Sequence, residues 1–223
     1  MKIILILFLF FTIKIQAQVI PVAFMKSSIS FDYPTVDIGG QQWMTYNLDV
    51  VNYRNGDPIP QETDQTTWKN LTSGAWCYYN NDAANGAIYG KLYNWYAVND
   101  PRGLAPAGSH IPSLNELTIL ITYLGGESIA GGKLKSSGTT YWQSPNSGAT
   151  NVTGFTGLPG GMRNLDDGFT SLNLTGWFWT ATPSTNHPNQ AHMAYIRHNV
   201  SSISPNTVVR PFINGLSVRV IKN

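Results

Sequence analysis

The stretch from residue 154 to 182, GFTGLPGGMRNLDDGFTSLNLTGWFWTAT, limits the possible folds of this chain more than any other. Phe155 and Leu158 are apolar anchors ahead of a Pro159-Gly160-Gly161 break. Glycine reaches positive φ at little cost, so the break suits a chain that reverses under tight steric limits. Phe169 follows between an acidic turn and a polar run, and Gly176-Trp177-Phe178-Trp179 reads as a short aromatic strand. Large rings flanked by loop residues predict a core held by a few aromatics, with irregular backbone wrapped over it.

Composition narrows the class. Of 223 residues, 42% are hydrophobic and 12% aromatic, enough for one domain with a sizeable core plus a targeting segment. Only 12% are charged, against roughly 25% in ordinary soluble domains. The polar surface must therefore be mostly Asn, Ser, Thr, Gln and Gly, which favours hydrogen bonding over strong fields.

Residues 1–17, MKIILILFLFFTIKIQA, place Lys2 before an apolar run from Ile3 to Phe11 and end in a small-residue cleavage pattern. The run is shorter than the ~20 residues of a membrane span, so it reads as a secretory signal. The expectation is an exported chain, in the periplasm, at the cell surface or outside the cell, with no transmembrane segment after cleavage. Removing Lys2 and Lys14 with the leader takes the formal charge from +2 to zero. A neutral surface lacks the basic footprint that phosphate backbones need, so nucleic acid is not an expected partner. Cys77 is the one cysteine, so the chain has no internal disulfide framework. It lies in Ala75-Trp76-Cys77-Tyr78-Tyr79 and reads as a buried small hydrophobe.

Residues 18–34 read as a lead-in and 35–223 as the domain. Around Gly39-Gly40, two strand pieces joined by a hairpin turn are expected. Residues 66–71 read as loop around Trp68, and 74–81 as a short aromatic strand. Ile88, Leu92 and Trp95 recur at i, i+4 and i+7, which predicts one helical face, stopped by Asn99-Asp100-Pro101. The best helix signal runs from Leu114 to Leu124. Ser113 and Glu116 form a capping box, Leu114, Leu117, Ile121 and Leu124 make the apolar stripe, and Gly125-Gly126 ends it. Residues 125–153 read as loops and 191–200 as a strand. Residues 216–221 close the chain as an alternating strand, with Leu216, Val218 and Val220 on one face. This order predicts an α+β fold: two helices on one side of small, mostly antiparallel sheets, with long loops.

Several separate motifs agree with a known family. They are Trp76-Cys77-Tyr78-Tyr79-Asn80-Asn81, Tyr89-Gly90-Lys91-Leu92-Tyr93-Asn94-Trp95, the run from Leu104 to Ser113, Ala130-Gly131-Gly132-Lys133-Leu134-Lys135, the run from Gly154 to Arg163, and Gly215-Leu216-Ser217-Val218-Arg219-Val220. In this order, from about Val36 to Ile221, they resemble the Fibrobacter succinogenes major paralogous domain family. The resemblance implies an exported bacterial protein with a C-type-lectin-like fold, related to that of formylglycine-generating enzymes. It implies no reaction. Members often carry an aromatic where Ser109 stands, a tyrosine where Met162 stands and a cysteine where Val220 stands. If that cysteine partners the one matching Cys77, this chain lacks the bridge.

No catalytic residue is nominated. The relatives' oxidase chemistry relies on a cysteine near the C-terminal part, which is absent here, and Cys77 lies far upstream. No Ser/His/Asp set can be assembled from spacing. His192 and His198 would share a strand face, but zinc wants three or four ligands. Asp166-Asp167-Gly168 is a thin oxygen set for calcium, which takes 6–8 oxygens. No metal and no cofactor is therefore expected.

What remains is a binding surface. If Ile196 points inward, strand alternation turns Met193, Tyr195, Arg197 and Asn199 the other way, and with Trp179 these form the candidate ligand-binding set. Tyr and Arg suit binding hot spots, and amides supply adaptable hydrogen bonds. The expected function is an exported, non-catalytic binding or surface protein that takes a glycan or protein ligand. An enzyme related to formylglycine-generating oxidases and a structural envelope component are the alternatives.

Overall fold

The computed structural model describes residues 33–166, 168–204 and 208–223. The leader, most of the lead-in and Asp167 of the acidic turn lie outside the described residues.

The expected hairpin forms: β1 (Thr35–Ile38) and β2 (Gln41–Met44) pair antiparallel across Gly39 and Gly40, whose φ angles are +65° and +80°. β2 also pairs with the terminal strand β11 (Ile221–Lys222), and β11 with β5 (Ser109–His110), giving a four-stranded sheet in the order β1-β2-β11-β5. A second sheet holds β10 (Val209–Pro211), β9 (Gln190–Arg197), β8 (Thr175–Pro183), β6 (Gly160–Arg163) and β7 (Phe169–Leu172), in that order. All its pairings are antiparallel except β6 with β8, which meet in parallel at Gly161 and Gly176. β3 (Trp76–Cys77) and β4 (Leu92–Tyr93) make a two-stranded ribbon. The fold is thus mixed α+β with mostly antiparallel sheets.

Among the described residues there are five α-helices, not two. α1 (Gln65–Lys69) replaces the expected loop; Asp64 caps it by accepting from the Thr67 N–H, and Trp68 anchors it in the core. The single helix expected through Ile88, Leu92 and Trp95 is three pieces: α2 (Ala83–Tyr89), β4, and α3 (Trp95–Val98). Gly90 breaks it at φ +72°, where a Cβ would press on the Asn47 and Leu48 carbonyl oxygens at 3.1 Å. Asn94 then starts α3 afresh, its side chain accepting from the Ala97 N–H. Ile88 is left exposed.

α4 (Leu114–Tyr123) matches its signal closely, with the Ser113–Glu116 capping box formed and Leu117, Leu120 and Ile121 buried. α5 (Glu127–Leu134) occupies a region read as loop. Two adjacent glycines are poor helix formers, which hid it. They are required by packing: a Cβ on Gly131 would lie 2.2 Å from the Ser202 carbonyl oxygen, and one on Gly132 2.3 Å from that of Gly148.

The closing segment departs most from expectation. Leu216, Val218 and Val220 do share a buried face, but only Ile221–Lys222 is regular strand, and Ser217 and Arg219 on the opposite face are buried as well. The segment threads between the sheets. Gly215 bridges to Arg163 of β6, Leu216 to Tyr93 of β4, Ser217 to Phe178 of β8, and the Val218 and Val220 carbonyls accept from Leu48 and Met44.

Glu116 links three elements. It accepts from the Ser113 N–H and hydroxyl, each at 2.8 Å, and its other oxygen lies 2.7 Å from His110 Nε2; His110 Nδ1 in turn lies 2.6 Å from Asn223 Oδ1. Partial burial works against the charged carboxylate, but these contacts prevail and hold its pKa below the ordinary 4.5. The group therefore stabilises the fold above that value, and the contribution is lost as pH falls through the lower folded value. Glu116→Gln should cost about 1 kcal/mol at neutral pH. Denaturant titrations from pH 7 to 3 should show a smaller acid loss of stability in the variant than in the parent.

Candidate binding face

β8 and β9 form the central hairpin, in the register Thr175↔Arg197, Gly176↔Ile196, Trp177↔Tyr195, Phe178↔Ala194 and Trp179↔Met193. Along most of its length this hairpin is covered on both faces. Trp177, Trp179 and Met193 pack with Tyr93, Trp95 and Leu216 on one side. Phe178, Ala194 and Ile196 pack with Leu117, Leu120 and Ile121 of α4 on the other. A cavity of about 20 Å³ lies on this second side, lined by residues including Phe178, Ile196 and Arg219. It has room for about one water and not for a ligand.

This double coverage redraws the candidate set. Trp179 is 1% exposed and donates its indole N–H to the Tyr93 carbonyl at 2.9 Å; Met193 is 0% exposed. Both are core residues, because the face they share is roofed by α3 and β4. Tyr195, on the same face one register step further along, is half-buried, and Arg197 and Asn199 are exposed. The structure therefore brings together Tyr195 and Arg197 at the open end of the hairpin, with Asn199 in the turn just beyond.

Two further residues join them. The Tyr195 ring lies 4.9 Å from Trp177, the Arg197 guanidinium 4.6 Å over Tyr195, and the Arg210 guanidinium of β10 5.1 Å over Trp177. The result is a row of guanidinium, ring, ring and guanidinium. Neither arginine has a carboxylate within ion-pair distance among the described residues. The Trp177 indole N–H, itself buried, has no hydrogen-bond partner among them either. Arg210 carries no signal in the sequence: the β9–β10 pairing sets it opposite Ala191, and its side chain reaches the Trp177 ring from there.

The turn that carries Arg197 and Asn199 is fixed from inside. Lys135, at the end of α5, is fully buried and donates to the carbonyls of Arg197 and Val200 at 2.9 Å and of Ser147 at 2.8 Å. Burial pushes its ammonium down to about 8. The close approach of Gly131 to Ser202 pins the same loop from the helix side.

The same device recurs away from the face. Arg219, 1% exposed, donates to Asn47 Oδ1 and to the carbonyls of Met44, Phe155 and Thr156 at 2.7–3.0 Å, and lies 4.3 Å over the Phe155 ring. Burial lowers its pKa, and the ring of oxygens compensates the charge. Arg163 donates to Gln65 Oε1 and the Glu62 and Thr63 carbonyls and lies 4.4 Å over Trp68. Lys91 bonds the Asp49 carbonyl and lies over Trp76 and Tyr78.

The remaining sequence candidates are placed as follows. Cys77 is fully buried beside Trp68 and Leu92, and burial pushes its thiol up to about 12. Val220 packs in a different cluster, with Met44 and Leu48. His192 lies opposite Val209 in the β9–β10 pair, and His198 Nδ1 lies 3.2 Å from the Ser144 carbonyl. No group of three His, Cys, Asp or Glu among the described residues could hold a metal ion, and no helix among them is long and apolar enough to cross a membrane.

These features define a small α+β domain whose aromatic hairpin is buried along most of its length, with exposed Arg197 and half-buried Tyr195 and Arg210 grouped about the buried Trp177 ring. The chain belongs to the Fibrobacter succinogenes major domain family, whose model matches residues 36–222. No curated protein and no solved structure matches it.

Two outcomes are expected. Arg219→Leu should destabilise the fold by about 3–5 kcal/mol in chemical denaturation, because it strands several buried carbonyls. Cys77, protonated and enclosed at neutral pH, should resist iodoacetamide in the folded protein and react only after denaturation, as read by mass spectrometry.

Proposed function

We propose that this chain is an exported, non-catalytic binding protein with a C-type-lectin-like fold, and that it takes a glycan at the open end of its central hairpin. One observation carries the reading: Tyr195, Arg197 and Asn199 stand exposed or half-exposed on a turn whose backbone Lys135 and α5 hold fixed. A binding surface needs this division, with adaptable side chains on a backbone that does not have to be ordered on binding. Aromatic and guanidinium groups beside exposed amides suit polyhydroxyl ligands, which offer both ring faces and hydrogen-bonding edges. The hydrophobic run at residues 3–11 supports export as a cleaved leader. The mixed, mostly antiparallel sheets with long loops support the lectin-like architecture.

A panel of immobilised polysaccharides tests this. Tyr195→Ala should lower affinity at least tenfold while the protein remains folded, as its thermal melt checks. Trp179→Ala should instead cost about 3–5 kcal/mol of stability, as a core truncation does. Unchanged binding in Tyr195→Ala, or no binding to any polysaccharide by the parent, overturns the proposal.

A further inference from the structure

The ring and guanidinium row also indicates what kind of ligand the face takes, and this inference rests on the reading just given. Arg197 and Arg210 lie over the faces of Tyr195 and Trp177, on rings 4.9 Å apart. A guanidinium set over a ring still has N–H groups that form a planar fork, the geometry that carboxylate and sulfate oxygens accept. In folded proteins such forks are commonly filled by an internal carboxylate. Arg102 shows this elsewhere in the chain, with Asp100 at 2.8 Å and Asp57 at 3.4 Å. Arg197 and Arg210 have no such partner among the described residues. Among the described residues Arg210 donates only to the Val209 carbonyl, at 3.3 Å. The Trp177 indole N–H, in a side chain 4% exposed, is a further, buried donor with no acceptor among the described residues.

The face thus presents guanidinium donors that no carboxylate among the described residues pairs with. The chain as a whole is nearly neutral, so the positive character is local and does not come from a general basic surface. The neighbours are exposed Asn199 and half-buried Ser201 and Ser202, amide and hydroxyl groups that match sugar hydroxyls. A protein partner would need an apolar anchor at the centre of the contact. None of the large exposed apolar residues among the described ones belongs to the row; Val200 lies in the turn beside it. We infer that the ligand is an anionic polysaccharide, whose carboxylate or sulfate groups are bound by the guanidinia of Arg197 and Arg210, each set over a ring.

Two matched polymer pairs test this with the purified chain: polygalacturonate against its carboxyl-reduced form, and dextran sulfate against dextran. The expected result is at least tenfold tighter binding to one or both acidic polymers than to the neutral partner. That preference should be lost in Arg197→Ala and Arg210→Ala, and Arg197→Lys should recover only part of it, since it keeps the charge without the fork. Thermal melts of each variant separate loss of binding from loss of fold. Which acidic polymer binds distinguishes carboxylate from sulfate. Equal binding to acidic and neutral polymers, still abolished by Tyr195→Ala, overturns this inference and leaves the glycan-binding reading standing. Failure to bind either acidic polymer, binding unaffected by both alanine variants, or equally tight binding to poly-glutamate also overturns it.

Discussion

The structure depends on a charge held without a counter-charge. Arg219 stands in the middle of the C-terminal segment, and its partners are oxygens of the β2 end, of Asn47 and of the Phe155–Thr156 turn. A guanidinium taken out of water must recover its hydrogen bonds, and carbonyl dipoles supply them without adding a second desolvated ion. The segment around it is extended, buried on both faces, and bonded in turn to β6, β4, β8 and β2. The small sheets have few strands of regular length, and none would be stable alone. The C-terminal thread makes them one body, and Arg219 fixes its depth and register.

Lys91, Lys135 and Arg163 repeat this arrangement, each bonded to main-chain carbonyls and set over an aromatic ring. The low charge content of the sequence takes on a structural meaning here. Several of its few cations lie inside, organising irregular backbone that has no ladder to satisfy its carbonyls. Asn, Ser and Thr are left to clothe the surface. The loops are long yet have defined shapes, because their carbonyls are bound by these interior donors.

Features that depend on near neighbours along the chain are legible in the amino-acid sequence. The Ser113–Glu116 box, the Gly39-Gly40 hairpin and the aromatic strand all carry their cause within a few residues. Features set by packing are not. The spacing of Ile88, Leu92 and Trp95 fits a helix, but Gly90 sits against the Asn47–Leu48 backbone and forces a break. α5 is hidden by the glycines that its close docking requires. Strand alternation assigns Met193, Tyr195 and Arg197 to one face correctly, yet alternation says nothing about where a roof ends. Tyr93 and Trp95 cover Met193 and its cross-strand partner Trp179, and Tyr195 and Arg197 emerge beyond that cover. Arg210 joins the face only through the β9–β10 pairing, which leaves no trace in its own sequence neighbours.

Lys135 holds the turn after β9 by main-chain oxygens alone, at residues 147, 197 and 200. Every amino acid carries that oxygen, so the grip does not depend on which residues occupy these positions. The outward side chains at 197 and 199 can be exchanged while the scaffold beneath keeps its shape. Diversification of the recognition surface is thereby uncoupled from foldability, and descendants of one ancestral domain could acquire new ligands through a handful of codon changes at this single loop.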